Sequence, residues 1–73
     1  MSMEAFIKTI CEYVKSRGEV DIREVHEVAK RLMPSWVPEA TWVTVMRHYL
    51  IYYECGDKIC VKARETCYES EKS

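Results

Sequence analysis

Hydrophobic positions near the start of the chain recur at the spacing of one helical face. Between residues 3 and 17 they fall at i, i+3, i+4 and i+7, while Glu and Lys residues fill the opposite face. Gly18 is suited to end this helix, because glycine adopts a left-handed C-cap conformation without steric cost. We therefore predict a first helix over residues 3–17, followed by a short extended segment, Glu19–Val20.

A second helix is indicated by a start signal and a stop signal. Asp21 and Glu24 have the spacing of a capping box, with Asp21 at the N-cap and Glu24 at the third helical position. Apolar residues then form one stripe as far as Leu32. Pro34 ends the helix, since the residue before a proline is driven out of the helical conformation.

A third helix is predicted from Pro38 to about Tyr49, and its buried face is ambiguous. Proline suits a first helical turn, and Glu39 beside it complements the helix dipole. Two apolar stripes compete for the inward position: Trp42, Met46, Leu50 and Tyr53, or Trp42, Val45, Tyr49 and Tyr52. Periodicity alone does not separate them. Both tryptophans, Trp36 and Trp42, and the tyrosines are expected in the core and not in a ligand site.

The period changes from helical to strand-like after residue 50. Residues 51–55 and 58–62 are rich in β-branched and aromatic side chains, and Gly56-Asp57 between them has the size and type of a two-residue hairpin turn. Alternation along the second strand gives two sets: Ile59 and Val61 toward the helices, and Lys58, Cys60 and Lys62 outward.

This element order predicts an α+β fold of three helices and a two-stranded C-terminal hairpin, with a short strand after the first helix. A length of 73 residues allows one domain. We assign residues 1–64 to that domain and residues 65–73 to an acidic C-terminal tail. No apolar run reaches the length of a membrane span or signal-peptide core, so we expect a soluble, cytoplasmic protein without membrane contact.

Charge and composition narrow the possibilities further. The net charge is −1, with −2 in residues 65–73 and +1 in the rest, which is not the strongly basic balance typical of a DNA-binding domain. The chain contains neither Asn nor Gln, the thermolabile amides that hyperthermophile proteins avoid. Intracellular hyperthermophile proteins are often rich in disulfides, so the four cysteines are expected to include at least one bridge.

The order and size of the elements resemble the winged helix-turn-helix family of DNA-binding domains over residues 3–64. The most family-like stretch is TVMRHYL at 44–50, running into ECGDKICV at 54–61. The resemblance implies a homodimeric transcriptional regulator with its third helix in the major groove of double-stranded DNA and its wing on the phosphates. In its small size, its lack of Asn and Gln and its extra cysteines, the chain resembles winged-helix proteins of viruses that infect hyperthermophilic archaea.

The resemblance implies DNA contacts on the third helix and on the wing. On the helix, the residues of the less apolar side are Thr41, Thr44, Arg47 and His48. An arginine there would donate two hydrogen bonds to a guanine or a phosphate, and threonines would hydrogen-bond to phosphates or contact a thymine methyl group. On the wing, Lys58 and Lys62 would hold phosphates. The alternatives are an ordinary solvated helix face, and lysines that only protect a strand from edge pairing.

The cysteines allow several arrangements. Cys55 and Cys60 flank the hairpin turn and are able to bridge it, while Cys67 follows closely enough to pair with its symmetry mate across a dimer axis. Cys11 lies on the apolar stripe and is expected to be a small buried hydrophobe. A zinc site made by the hairpin pair, Cys67 and His48 lacks the short C-x2-C spacing, so we predict no metal.

Catalysis finds no support in the sequence. There is no Ser/His/Asp ordering, no glycine-rich phosphate loop and no pair of buried-looking carboxylates. We therefore predict no enzyme, no cofactor and no small-molecule substrate. The alternative to DNA binding is a winged-helix module for protein–protein interaction, which the near-neutral charge would suit.

Overall fold

The computed structural model describes residues 2–65 and residue 67, and these form an α+β fold. The elements in chain order are α1 (Met3–Arg17), β1 (Val20–Asp21), α2 (Ile22–Leu32), α3 (Glu39–Tyr49), β2 (Leu50–Cys55) and β3 (Lys58–Ala63). The predicted order of three helices and a hairpin is thus confirmed. None of the helices in the described ranges is both long enough and apolar enough to cross a membrane.

The helix ends follow local capping chemistry, with departures from the expected pattern. Gly18 caps α1 at the predicted position with a positive φ of 83°, but its ψ of −53° lies outside the left-handed helical region that was expected. The Asp21 carboxylate caps α2 by accepting a hydrogen bond of 2.8 Å from the backbone N–H of Arg23. Glu24 does not complete a capping box; its carboxylate accepts from the Tyr13 hydroxyl and pairs with Arg17 at 2.7 Å. Glu24 therefore ties α2 to α1.

The helix α3 begins one residue later than the sequence indicated. Pro38 is the N-cap, with an extended backbone and no side-chain hydrogen bond, and its carbonyl accepts from the N–H of Thr41 at 3.0 Å. The inward stripe of α3 is Trp42, Met46 and Leu50, whose exposed fractions are 3%, 0% and 1%. Of the two stripes considered, the first is therefore correct up to Leu50. The residues particular to the second are only half-buried.

The hairpin is part of a three-stranded antiparallel sheet in the order β1-β3-β2. Around the turn at Gly56, whose φ is 72°, Cys55 pairs with Lys58. On the other side of β3, Val20 pairs with Val61. The expected two-stranded wing thus gains a third strand, because the predicted extended segment lies one residue further along, at Val20–Asp21, and hydrogen-bonds to β3.

The two faces of the sheet differ in their surroundings. Val61 faces the helices and is fully buried, as predicted, but Ile59 is half-buried and lies outside the core cluster because it is close to the hairpin tip. Lys58, Cys60 and Lys62 alternate with these residues and point to the outer face. Cys60 on that face is nevertheless only 4% exposed, since it forms a disulfide with Cys55.

A second disulfide joins Cys11 in α1 to Cys67, and both residues are buried in the core. Lys15 also donates a hydrogen bond of 3.4 Å to the carbonyl of Cys67. The expected bond of Cys67 to a partner subunit is therefore wrong, and Cys11 is not a free buried thiol. Apart from Glu65 and Cys67, the segment assigned to the acidic tail lies outside the described residues.

Candidate nucleic-acid interface

The outer face of α3 displays the polar residues that the sequence singled out. These residues are all exposed, and the last two lie three and four positions after the second: Thr41, Thr44, Arg47 and His48. The opposite face is anchored in the core by Trp42 and Met46. Because one face is locked by packing, the exposed face is presented to solvent in a fixed orientation. The structure thus brings these four side chains together on one surface, which we call the α3 face.

Arg47 is held over an aromatic ring at the junction of helix and sheet. Its guanidinium carbon lies 5.9 Å from the centroid of the Tyr52 ring in β2, within the range of a cation–π interaction. The ion pairs of the described residues are Arg17–Glu24, Arg23–Asp21 and Lys58–Asp21, and none of them involves Arg47. Its N–H donors are therefore not committed to a carboxylate in the described part of the chain.

Behind the α3 face, the imidazole of His26 fills the junction where α2, α3 and β2 meet. The ring packs edge-on against Trp42, with centroids 5.5 Å apart, and lies 6.4 Å from the Tyr52 ring. Within residues 2–65 and 67, the Nε2 atom of His26 and the hydroxyl of Tyr52 are buried without a hydrogen-bond partner. This junction fixes how α3 sits against the sheet.

Burial and neighbouring charges set the protonation of this junction. Desolvation lowers the pKa of His26 below 6.5; Glu39 opposes the shift, and Lys30 and Arg47 add to it. Desolvation also raises the pKa of Tyr52 above 10.0, with Arg47 opposing. Both groups are therefore driven toward their neutral forms, which suits an apolar contact between aromatic rings.

The lysines of the hairpin differ in how free their charges are. The ammonium nitrogen of Lys58 lies 3.7 Å from a carboxylate oxygen of Asp21, so part of its charge is compensated. The ammonium of Lys62 lies 5.3 Å from the centroid of the Tyr53 ring and is in none of the ion pairs of the described residues. Lys62 is thus the better phosphate-binding candidate of the two.

Arg47 and Lys62 lie on opposite faces of β2. Tyr52 and Tyr53 are consecutive residues of a strand, so their side chains point to opposite sides of the sheet. Arg47 contacts the first ring and Lys62 the second. The helix and wing candidates therefore flank the strand that joins them, and their charges are not merged into one patch by these contacts.

The sequence missed one exposed feature, the side chain of Trp36. It was expected in the core, yet it is 80% exposed in the connection between α2 and α3. A groove of about 390 Å³ in this region is lined by Met33, Pro34, Val37 and Trp42, among others. Trp36 lies between Pro34 and Pro38 in the connection, whereas Trp42 lies on the buried stripe of α3. No periodic signal in the sequence distinguishes the two.

Comparison of the chain with protein-family models, with curated proteins and with solved structures gives no match. The structure establishes the class of fold, which is an α+β domain with three helices and a three-stranded antiparallel sheet.

Proposed function

We propose that the protein is a sequence-specific, double-stranded-DNA-binding protein of winged helix-turn-helix type, acting as a homodimeric transcriptional regulator. In this proposal the α3 face enters the major groove, where base edges are distinguishable. The hairpin contacts phosphates, which position a protein on the duplex without reading sequence. A dimer would double an interface that is small for one domain.

The observation that carries the proposal is the α3 face itself. A helix packed through Trp42 and Met46 projects two threonines, a histidine and an arginine at helical spacing. Arg47 is the central residue, because a guanidinium without an ion-pair partner in the described chain is able to donate two hydrogen bonds to a guanine. The near-neutral net charge makes such specific contacts more important than a general basic field.

The proposal is tested by selecting duplexes from a random library and measuring the affinity of the selected duplex by fluorescence anisotropy. Arg47→Ala is expected to cost about 1–3 kcal/mol of specific affinity if the arginine forks onto a base. Arg31→Ala is the matched control, since Arg31 is exposed on the side of α2 toward Tyr13 of α1. Failure to enrich any duplex, or equal affinities of the two variants, would contradict the proposal.

The wing makes a separate prediction about salt. Lys62→Ala is expected to weaken binding to all duplexes alike and to lower the slope of log affinity against log salt by about one, as for the loss of one phosphate contact. Lys8→Ala, at an exposed position of α1, is the control and leaves the slope unchanged. An unchanged slope for Lys62→Ala would remove the wing from the interface while leaving the α3 face in place.

A second candidate function, a protein-interaction module, is favoured by Trp36. An exposed tryptophan beside a groove with both apolar and charged lining is typical of protein interfaces, where aromatic side chains are enriched. Salt separates the two functions, because phosphate binding weakens steeply with salt and a modestly charged protein interface does not. Binding to a protein partner that is lost in a Trp36 variant, is unchanged in Arg47→Ala and does not weaken with salt would identify this second function.

The proposal places the protein beside DNA in the cytoplasm, where thiols usually stay reduced. Two disulfides in such a setting are a recognised property of hyperthermophile proteins. The absence of Asn and Gln agrees with that setting. A hyperthermophilic archaeon or one of its viruses is therefore the source that we propose.

A further inference from the structure

The outer face of the sheet gathers three potential metal ligands that belong to no part of the α3 face. The sulfur atoms of Cys55 and Cys60 and a carboxylate oxygen of Glu19 all lie within 4.8 Å of one another. The hairpin turn brings the two cysteines together, with their Cα atoms 5.9 Å apart. Pairing of β1 with β3 then brings Glu19, the residue before β1, to the same place.

We propose that this cluster, once its disulfide is reduced, binds Zn²⁺ through the Cys55 and Cys60 thiolates and the Glu19 carboxylate. Zinc takes thiolate ligands at about 2.3 Å and carboxylate ligands at about 2.0–2.2 Å. The two sulfur atoms, bonded to each other in the disulfide, have to separate on reduction to bind one ion, and the Glu19 carboxylate oxygen lies within 4.8 Å of both. Three protein ligands leave the fourth tetrahedral position to a water molecule. Thiolates favour zinc over magnesium or calcium, which prefer oxygen ligands.

The zinc site and the disulfide use the same two sulfur atoms, so they form in turn and not together. A dithiol reductant gives two electrons and two protons to the Cys55–Cys60 bond; the S–S bond breaks, two thiols form, and the reductant becomes its own disulfide. Zn²⁺ then displaces both thiol protons, which pass to solvent, and two Zn–S bonds form. Re-oxidation requires loss of the ion, because a sulfur in a disulfide is no longer a thiolate ligand.

The surroundings of the cluster suit an exchangeable ion. Glu19 is exposed, Cys55 is half-buried and Cys60 is buried, so the site is open to solvent from one side. Glu19 also lies next to the side chain of Tyr53. A hydroxyl in that position is able to orient the carboxylate, as partners behind metal ligands commonly do.

The other disulfide is an internal comparison for this proposal. Among the residues that the structure describes, Cys11 and Cys67 have no third donor within the same distance, and both are buried in the core. A thiol pair without a carboxylate or histidine, closed off from solvent, is a poor zinc site. Metal binding after reduction should therefore depend on the hairpin pair alone.

The test is a titration of the full chain with Co²⁺, which gives a thiolate-to-metal absorption band, followed by displacement with Zn²⁺. The protein is reduced, freed of reductant and kept anaerobic. One Co²⁺ per chain is expected for the reduced protein and none for the oxidised one. Glu19→Gln is expected to weaken binding by at least about tenfold, since loss of even an outer-shell partner costs 10–100-fold. Glu12→Gln, an exposed carboxylate of α1, is the control and binds like the natural chain.

Two double variants separate the cysteines. Cys55→Ser with Cys60→Ser is expected to abolish the band, and Cys11→Ala with Cys67→Ala to retain it. A band that survives the first variant, or equal binding by Glu19→Gln and Glu12→Gln, would overturn the proposal. So would a reduced protein that keeps its native circular dichroism without binding Co²⁺. Loss of the native spectrum on reduction that metal does not restore would overturn it as well.

Discussion

The two disulfides of this protein close two regions of very different kinds. Cys11–Cys67 joins residues 56 positions apart, and both side chains are buried in the core between helices and sheet. Cys55–Cys60 joins residues 5 positions apart, across a turn on the outer face of the sheet. The Cα–Cα separation is 5.9 Å in both, so local geometry does not distinguish them.

The difference lies in what each bond restrains. The core bond links Cys67 to Cys11 in α1, so it reduces the conformational freedom of the unfolded chain between these two residues. The hairpin bond restrains a turn that backbone hydrogen bonds already order, and its sulfur atoms lie near solvent and a carboxylate. One bond is placed to stabilise the fold, whereas the other is placed where reduction would alter a surface.

The largest effect is expected from removing the core bond. Replacing Cys11 and Cys67 together by alanine should lower the free energy of unfolding by about 4 kcal/mol, the chain-entropy value for a loop of 56 positions. Guanidinium unfolding of the oxidised protein at neutral pH measures this. For a chain this short, such a loss is a large part of the total stability.

A smaller effect is expected from removing the hairpin bond. The disulfide between Cys55 and Cys60 closes a loop of only a few residues. For a separation of 5, the same chain-entropy relation gives a loss of about 2 kcal/mol in the free energy of unfolding when both cysteines are replaced by alanine. The two double variants serve as controls for each other under identical conditions. Equal losses, or a larger loss in the hairpin variant, would contradict the distinction between the two regions.

The smallest effect is expected away from both disulfides, at the junction of α2, α3 and β2 where His26 packs on Trp42 and Tyr52. Because its folded-state pKa lies below 6.5, the unfolded chain binds the proton more readily. The stability that the neutral ring contributes is thus complete above about pH 6.5 and is lost as the pH falls through the folded-state pKa.

Unfolding curves at a series of pH values test this prediction. His26→Phe keeps an aromatic ring in the junction and should flatten the fall in stability below pH 6.5 relative to the natural chain. The control is His48→Gln on the exposed α3 face, which should follow the natural chain. If His26→Phe retained the full acid sensitivity, the junction would not be where the proton acts.

The helices could be predicted from the sequence because their signals are local. Apolar spacing, the C-cap glycine at position 18 and proline after α2 act over a few residues, and the helix bounds agree within one residue. The hairpin was equally accessible, since Gly56-Asp57 separates two strand-like runs. For the candidate interface, helical spacing already placed the α3 residues on one face.

Other features depend on which segments meet in space. Periodicity did not distinguish the two stripes of α3, and packing into the core, where α3 contacts α1, decided for Met46 and Leu50. Glu24 fits a capping box by spacing, but the nearness of Tyr13 and Arg17 draws its carboxylate to α1. A side chain with two possible partners bonds to the one that lies closer in the folded structure. The local sequence does not determine the distance between two elements.

The cysteines show the same division most clearly. The sequence by itself determined that a small chain with four thiols would hold a disulfide, and that Cys55 and Cys60 were close enough to form one across a turn. Only the tertiary structure decided that Cys67 returns to Cys11 and that Glu19 joins the hairpin pair. Pairing across a two-residue turn follows from backbone geometry, whereas contacts over longer separations exist only once the whole core has formed.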